Sequence, residues 1–235
     1  MDQGMDDGAR PPMTLSPLDR GAVSRLQVLC ADATRALSAA GVGVSVMATT
    51  GGYGMAAASD PTTERIEELQ FTVGEGPCVD AYTSRRPVLI TDLDDTAMSR
   101  WPAYTPAVYQ AGIRAVFAFP LQVGAVRLGV LDVFRTHAGP LSRDELGQAF
   151  TFGELAVTTL LDGQDQTHSE HDVDEAIEQG AALWQAQGMV MVMLGVTLTE
   201  ALVRLRGHAY ATNLPLSVVA ADIVAGRLHL ERDHS

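Results

Sequence analysis

The chain has 235 residues, of which 46% are hydrophobic and 19% charged, and its formal net charge is −13. That length is comfortable for two domains with substantial apolar cores, and the acidity excludes a nucleic-acid footprint spread over the whole molecule. Two cysteines, Cys30 and Cys78, make no disulfide framework and point to a reducing, cytoplasmic setting; no window approaches the roughly 18 apolar residues of a membrane span, so no membrane partner is expected.

Residues 1–14, "MDQGMDDGARPPMT", are acidic, rich in Gly and Pro and free of an apolar stretch, which predicts a disordered arm and not a signal peptide. Residues 15–40 carry Leu18, Ala22, Leu26, Leu29, Ala33 and Leu37 at helical spacing, with Ser16-Pro17 as the start signal and Gly41 as the stop. Val42, Val44, Val46 and Ala48 then alternate, Gly51-Gly52 follows, and "YGMAAAS" completes a β-hairpin signal. Residues 64–69 predict one or two helical turns, 88–93 a short strand, and 106–111 a helix ended by Gly112. The strongest β signal is residues 115–136, read as strands over 115–123 and 126–134 around Gly124. Ser142 and Glu145 form a capping box for a helix over 143–161, with Leu146, Ala149, Phe150, Gly153, Ala156, Val157 and Leu160 on one face. Residues 15–161 therefore predict an α+β domain, an antiparallel sheet with flanking helices.

Residues 162–175 are an acidic linker or helix start. Beyond them the chain predicts three helices: one to about Leu194, ended by Gly195; one opened by the "TLTE" capping box and reaching about Ala211; and, after the break "NLPL", one from about Pro215 to Gly226. Residues 176–230 thus predict an all-α three-helix bundle. Acidity concentrates in its entry segment: from Gln179 to Leu230 only Glu200 and Asp222 oppose Arg204, Arg206 and Arg227. All 16 basic residues of the chain are arginine, which reads as codon bias, so no single Arg is taken as chosen for chemistry on that ground.

Within "TVGEGPCVDAYTSRRPVLITDL", Gly74 and Gly76 before Pro77 aim backbone N–H groups at an anion or a ligand carboxylate, and Cys78 in the first helical turn is expected to have a lowered pKa. The competing reading is a tight entry turn with Cys78 as a small core residue. Asp92, Asp94, Asp95 and Asp132 offer carboxylates, but no histidine lies near them in sequence, and strand-end aspartates are commonly loop caps; no catalysis and no cofactor are expected. His168 and His171, among acids in the linker, suggest a weak metal site or a solvated helix start.

"VGEGPCVDAYTSRRPVLITDL", followed by "YQAGIRAVFAFPLQVGAVRLGVLDVFR", resembles a GAF domain. The resemblance implies a sensory or dimerising module with a small-molecule or protein signal, and no particular effector. "AQGMVM", "LGVTLTEAL", "LR", "AYATNLPL" and "VAADIV" together resemble an ANTAR domain, with Gln187 where the family's commonest form has lysine. That resemblance implies an antitermination module that binds paired RNA hairpins, as a homodimer presenting two such domains. Unstacked bases are read by stacking and by amide or guanidinium contacts, for which the helices offer Gln185, Gln187, Gly188, Arg204, Arg206, His208, Tyr210, Asn213 and Arg227. Val173, Ile177, Gly180, Trp184, Gln187, Met191 and Leu194 also form a heptad-like seam, on which Gln187 would set helix register and not touch RNA. Alternatives are a helix-turn-helix DNA binder, weakened by a third helix with no cation before Arg227, and a ligand-binding scaffold acting by protein contact.

Overall fold

In a computed structural model of the chain, which describes residues 20–47, 53–165 and 174–230, the period-two patterns become one antiparallel sheet. The first unit runs α1 (Arg20–Ala36), β1 (Gly41–Met47), β2 (Tyr53–Ala58), α2 (Pro61–Val73), α3 (Pro77–Ser84), β3 (Val88–Ile90), α4 (Asp95–Arg100), α5 (Thr105–Gln110), β4 (Ala115–Val123), β5 (Val126–Arg135) and α6 (Arg143–Asp165). The strands lie in the order β2-β1-β5-β4-β3, every pair antiparallel.

Because successive strand side chains alternate faces, the sheet sorts its residues into two cores. Val42, Val44, Phe117, Phe119, Leu121, Leu131 and Val133 pack under α1 and α6. Met47, Val88, Val116, Ala118, Val130 and Phe134 pack with Ile66 and Phe71 of α2, Cys78 and Ala81 of α3, and Trp101, Tyr104 and Val108 around α4 and α5. Helices therefore cover both faces. Ser45 and Asp132 fall on the second face by the same alternation, and that is where the site lies.

Several boundaries differ from the sequence expectations, each for a local reason. The first helix stops at Ala36, not Gly41: Ser38 adopts φ 47°, the Ala40 N–H already donates to Phe134 O, and Gly41 is the first residue of β1. The turns expected over 64–69 are a helix from Pro61 to Val73, because Asp60 accepts from the Thr62 and Thr63 N–H groups, Pro61 occupies the first helical position, and Gly74 closes the other end. The strand expected to reach Leu93 is only three residues long, since Asp94 turns the chain by capping α4, a helix the sequence reading did not include. The strands over 115–123 and 126–134 and the Ser142–Glu145 capping box are present. Residues 1–19, the Gly51-Gly52 turn, His168 and His171 lie outside the described residues.

The second unit is α7 (Asp174–Leu194), α8 (Leu198–Thr212) and α9 (Leu216–Val224). Gly195 follows α7 at φ 68°, Thr197 and Glu200 close a complete capping box, and Asn213 ends α8 at φ 53°. Leu183, Ala186 and Val190 of α7, Ala201, Leu205 and Ala209 of α8, and Leu216, Val219, Ala220 and Ile223 of α9 form its core. No single helix among the described residues is long and apolar enough to cross a membrane.

Candidate functional site

Two places bring chemistry-bearing residues together, and α2 borders both. On its sheet-facing side α2 buries Glu67 and Gln70 completely. Opposite them stand Ser45 of β1 and Asp132 of β5, both with no exposure, and Cys78 of α3. Gly43 pairs with Asp132 across the strands, and a Cβ on it would lie 2.6 Å from Glu67 Oε1; the missing side chain is what admits the glutamate. Ser45 Oγ donates to Glu67 Oε2 at 3.0 Å, Gln70 Nε2 reaches Asp132 Oδ2 at 3.5 Å, and Gln70 Oε1 accepts the Cys78 N–H at 2.9 Å. With both acids charged, the other oxygen of each, Glu67 Oε1 and Asp132 Oδ1, meets no hydrogen-bond donor, and the buried Tyr104 hydroxyl has no partner.

This burial sets the electrostatics. Removal from water, then the charge of Asp132 beside it, pushes Glu67 well above the usual carboxylate range. Burial pushes Asp132 up to about 6, against hydrogen bonds from Glu67, Cys78 and Gln70 that favour its charged form. Burial and the two acids push Cys78 well up, contrary to the lowered pKa expected at a helix start. The reason is that Cys78 has no exposure and stands beside Asp132 and Glu67, while Gln70, eight residues upstream, takes its backbone N–H. Gly74 at φ 76° and Gly76 at φ 137° serve this turn: the Gly74 N–H closes α2 on Gln70 O, and a Cβ on Gly76 would lie 2.4 Å from Gln70 Oε1. Sequence reading missed Glu67, Gln70, Ser45 and Tyr104. The available signal was two polar residues at helical spacing with Ile66 and Phe71, on what had to be an inward face.

The other place is the three-helix unit and its seat on α2. Arg206 Nε donates to Phe71 O at 3.0 Å, a Cβ on Gly74 would lie 2.7 Å from Arg206 Nη1, and Ser217 Oγ donates to Glu68 Oε1 at 2.6 Å. A cavity of about 110 Å³ between the units is lined by Met55, Glu64, Glu68, Phe71, Leu183 and Ser217. Burial at this seam raises the Glu68 pKa.

The nine residues expected at RNA do not form one patch. On α8, Arg206 faces the first unit, while helical spacing puts Arg204 and His208 on the far flank, with exposed Val203, Gly207 and Tyr210 between. Tyr210 is 61% exposed, so it is a surface residue. Asn213 is an exposed left-handed cap, Arg227 is exposed and ion-paired to Asp222 at 2.7 Å, Gln185 is exposed, and Gly188 is half-buried. Gln187 is 6% exposed and its Nε2 donates to Leu198 O at 2.7 Å. Its amide ties α7 to the start of α8 and does not reach outward. Of the seam, Val173 and the side chains of Ile177 and Trp184 lie outside the described residues.

The chain is thus a helix-flanked antiparallel sheet with a buried polar cluster under α2, followed by a three-helix unit. The GAF domain model matches residues 24–161, more than half of the chain, and the ANTAR domain model matches residues 171–224. The chain belongs to the GAF family and, with the ANTAR domain behind it, has the architecture of a GAF–ANTAR regulator. Among solved structures it is similar to a domain of a protein described as a two-component sensor histidine kinase from Sinorhizobium meliloti 1021, at 16% identity and TM-score 0.51, covering 63% of this chain and 96% of that one. It is also similar to the GAF domain of a phosphoenolpyruvate-protein phosphotransferase from Coxiella burnetii, at 16% identity and TM-score 0.51, covering 62% of this chain and 85% of that one. At such identity these likenesses concern the fold alone. No curated protein matches the chain.

Proposed function

We propose that this GAF–ANTAR regulator is a cytoplasmic, homodimeric transcription antitermination factor. Its ANTAR domain binds paired RNA hairpins in nascent transcripts and so prevents a terminator from forming; the GAF domain controls that binding, and no bond is made or broken. The observation that carries this reading is the ANTAR match over residues 171–224, on a unit in which the acids gather at the start and the part from Gln179 to Leu230 sets only Glu200 and Asp222 against Arg204, Arg206 and Arg227. The geometry supports direct control, because Arg206 is held by Phe71 O of the sensory domain. A signal that moves α2 releases Arg206 toward RNA, a shift between two preexisting arrangements. The alternative of a duplex-DNA reader is disfavoured by α9, whose Leu216, Val219, Ala220 and Ile223 are core residues and whose Ser217 is bonded to Glu68; little of that helix is left to enter a groove.

Electrophoretic shifts of the full chain with a paired RNA hairpin, single-stranded RNA and duplex DNA test the reading. The hairpin should bind tightest, and Tyr210→Ala should weaken it about tenfold by loss of one stacking surface. Equal or tighter binding of duplex DNA overturns the proposal.

A further inference from the structure

The buried acids beneath α2 are not explained by RNA binding. Glu67, Cys78 and Asp132 each bring one donor atom within 4.8 Å of the others, and all three are buried. Glu67 and Asp132 are close enough to share a hydrogen bond, which two ionised carboxylates cannot make. No arginine is among the groups acting on either acid, and the chain has no lysine. Either protons or a cation must neutralise the cluster.

We propose that Glu67, Cys78 and Asp132 bind one divalent transition-metal ion of the zinc, ferrous or cobaltous kind.

Four observations meet here. First, a tetrahedral ion with bonds of about 2.0–2.3 Å wants donors about 3.5 Å apart, so the three need close by only about 1 Å. Second, each carboxylate has the outer partner that orients metal ligands: Ser45 holds Glu67 Oε2 and Gln70 faces Asp132 Oδ2, while Glu67 Oε1 and Asp132 Oδ1, when both acids are charged, are left without donors. Gln70 Oε1 also fixes the Cys78 backbone. Third, the Tyr104 hydroxyl is fully buried, unpartnered, and close enough to feel Asp132, Glu67 and Cys78, a further polar group without a partner beside the cluster. Fourth, one thiolate with two carboxylates selects borderline ions, since calcium and magnesium take all-oxygen shells. On binding, metal–oxygen and metal–sulfur bonds replace the carboxyl and thiol protons, which leave to solvent, and nothing is oxidised or reduced.

Metal binding at this site needs no RNA, so its failure is distinguishable from a failure of RNA binding. The full chain is stripped with chelator and dialysed to equilibrium against cobalt(II), the spectroscopic probe. One equivalent should bind, giving visible bands of a four-coordinate ion and a near-ultraviolet thiolate-to-cobalt band, and zinc should erase both. Cys78→Ser should lose the thiolate band and Cys30→Ser should keep it. Asp132→Asn should weaken cobalt binding by more than about 100-fold, and Ser45→Ala, which removes only an outer donor, by about tenfold. Circular dichroism checks the fold of each variant, and a zinc-dependent rise in wild-type melting temperature gives a measurement that needs no variant. A featureless cobalt spectrum with no zinc shift in melting overturns the proposal, as does a thiolate band that survives Cys78→Ser.

Discussion

Gln187 shows how a polar residue in an apolar helix can serve the fold before it serves a ligand. Its amide bridges α7 to Leu198 O at the start of α8 and is almost sealed from water. A hydrogen bond of this kind contributes about 1 kcal/mol. Gln187→Ala is therefore expected to lower the melting temperature by several degrees (about 4–8 °C per kcal/mol in a domain this small). Unchanged melting together with weakened hairpin binding would return Gln187 to the RNA surface. Asp132 carries the second residue-scale prediction. Its folded pKa, about 6, lies above the ordinary 3.8, so between those values the native state holds more protons than the unfolded chain. The stability it contributes is complete at low pH and is lost as pH rises through that window. In chelator, Asp132→Asn should gain on the wild type as pH rises toward 6, measured by urea unfolding; a difference independent of pH would refute the shift.

At the scale of elements, α2 is the part with two jobs. Glu67 and Gln70 point into the buried cluster, while Glu68 accepts from Ser217 and Phe71 O accepts from Arg206. A helix moves as a unit, so a change in what Glu67 faces is felt at the neighbouring Glu68 without any longer path. Ser217→Ala removes one contact of the closed arrangement and none of the nine residues expected at RNA. One hydrogen bond of about 0.5–1.5 kcal/mol corresponds to a shift of about two- to tenfold, so hairpin affinity should rise by that factor, read by electrophoretic titration. Unchanged affinity would mean the seam does not restrain RNA binding. The sequence made these strands legible because β4 and β5 are apolar runs, buried on both faces, that meet at a turn around Gly124, and it made α8 legible through the Thr197–Glu200 box. It hid α2. Asp60-Pro61 is a full start signal, but Glu64, Glu67 and Glu68 mask the apolar face, and only tertiary contact shows that Glu67 is inside. Cys78 is legible in sequence as a candidate for the same pocket, but the direction of its pKa is not, because local helix position argues downward and burial, set by residues far along the chain, argues upward. Likewise the split of Arg206 from Arg204 and His208 follows from which flank of α8 meets α2, a fact of docking and not of spacing.

For the whole molecule, two electrostatic demands oppose each other. In the proposed dimer, two chains of net charge −13 would repel as they pair, while an RNA hairpin would be drawn to the near-neutral stretch from Gln179 to Leu230. The outer helices α1 and α6 cover one face of the sheet, yet each turns a large apolar side chain outward, Val28 at 62% and Leu155 at 51% exposure. That face is the one we expect to pair, and Leu155→Asp should leave a monomer by light scattering. Salt then acts with opposite sign on the two steps. Screening relieves repulsion between the acidic chains and favours the dimer, whereas salt competes with arginine for phosphate and weakens RNA binding. Arg204, Arg206 and Arg227 are the only cations between Gln179 and Leu230, so if all three meet phosphate the limiting slope of log affinity on log salt is about −2 to −3 per domain. If two hairpins require two domains, apparent affinity should first rise with salt, as chains pair, and then fall with that shallow slope; Leu155→Asp should abolish the rise and keep the fall. A slope steeper than about −5 per domain would place phosphate contacts on arginines outside the ANTAR unit, and a monotonic fall in the wild type would mean that pairing is complete before RNA arrives or is not needed at all.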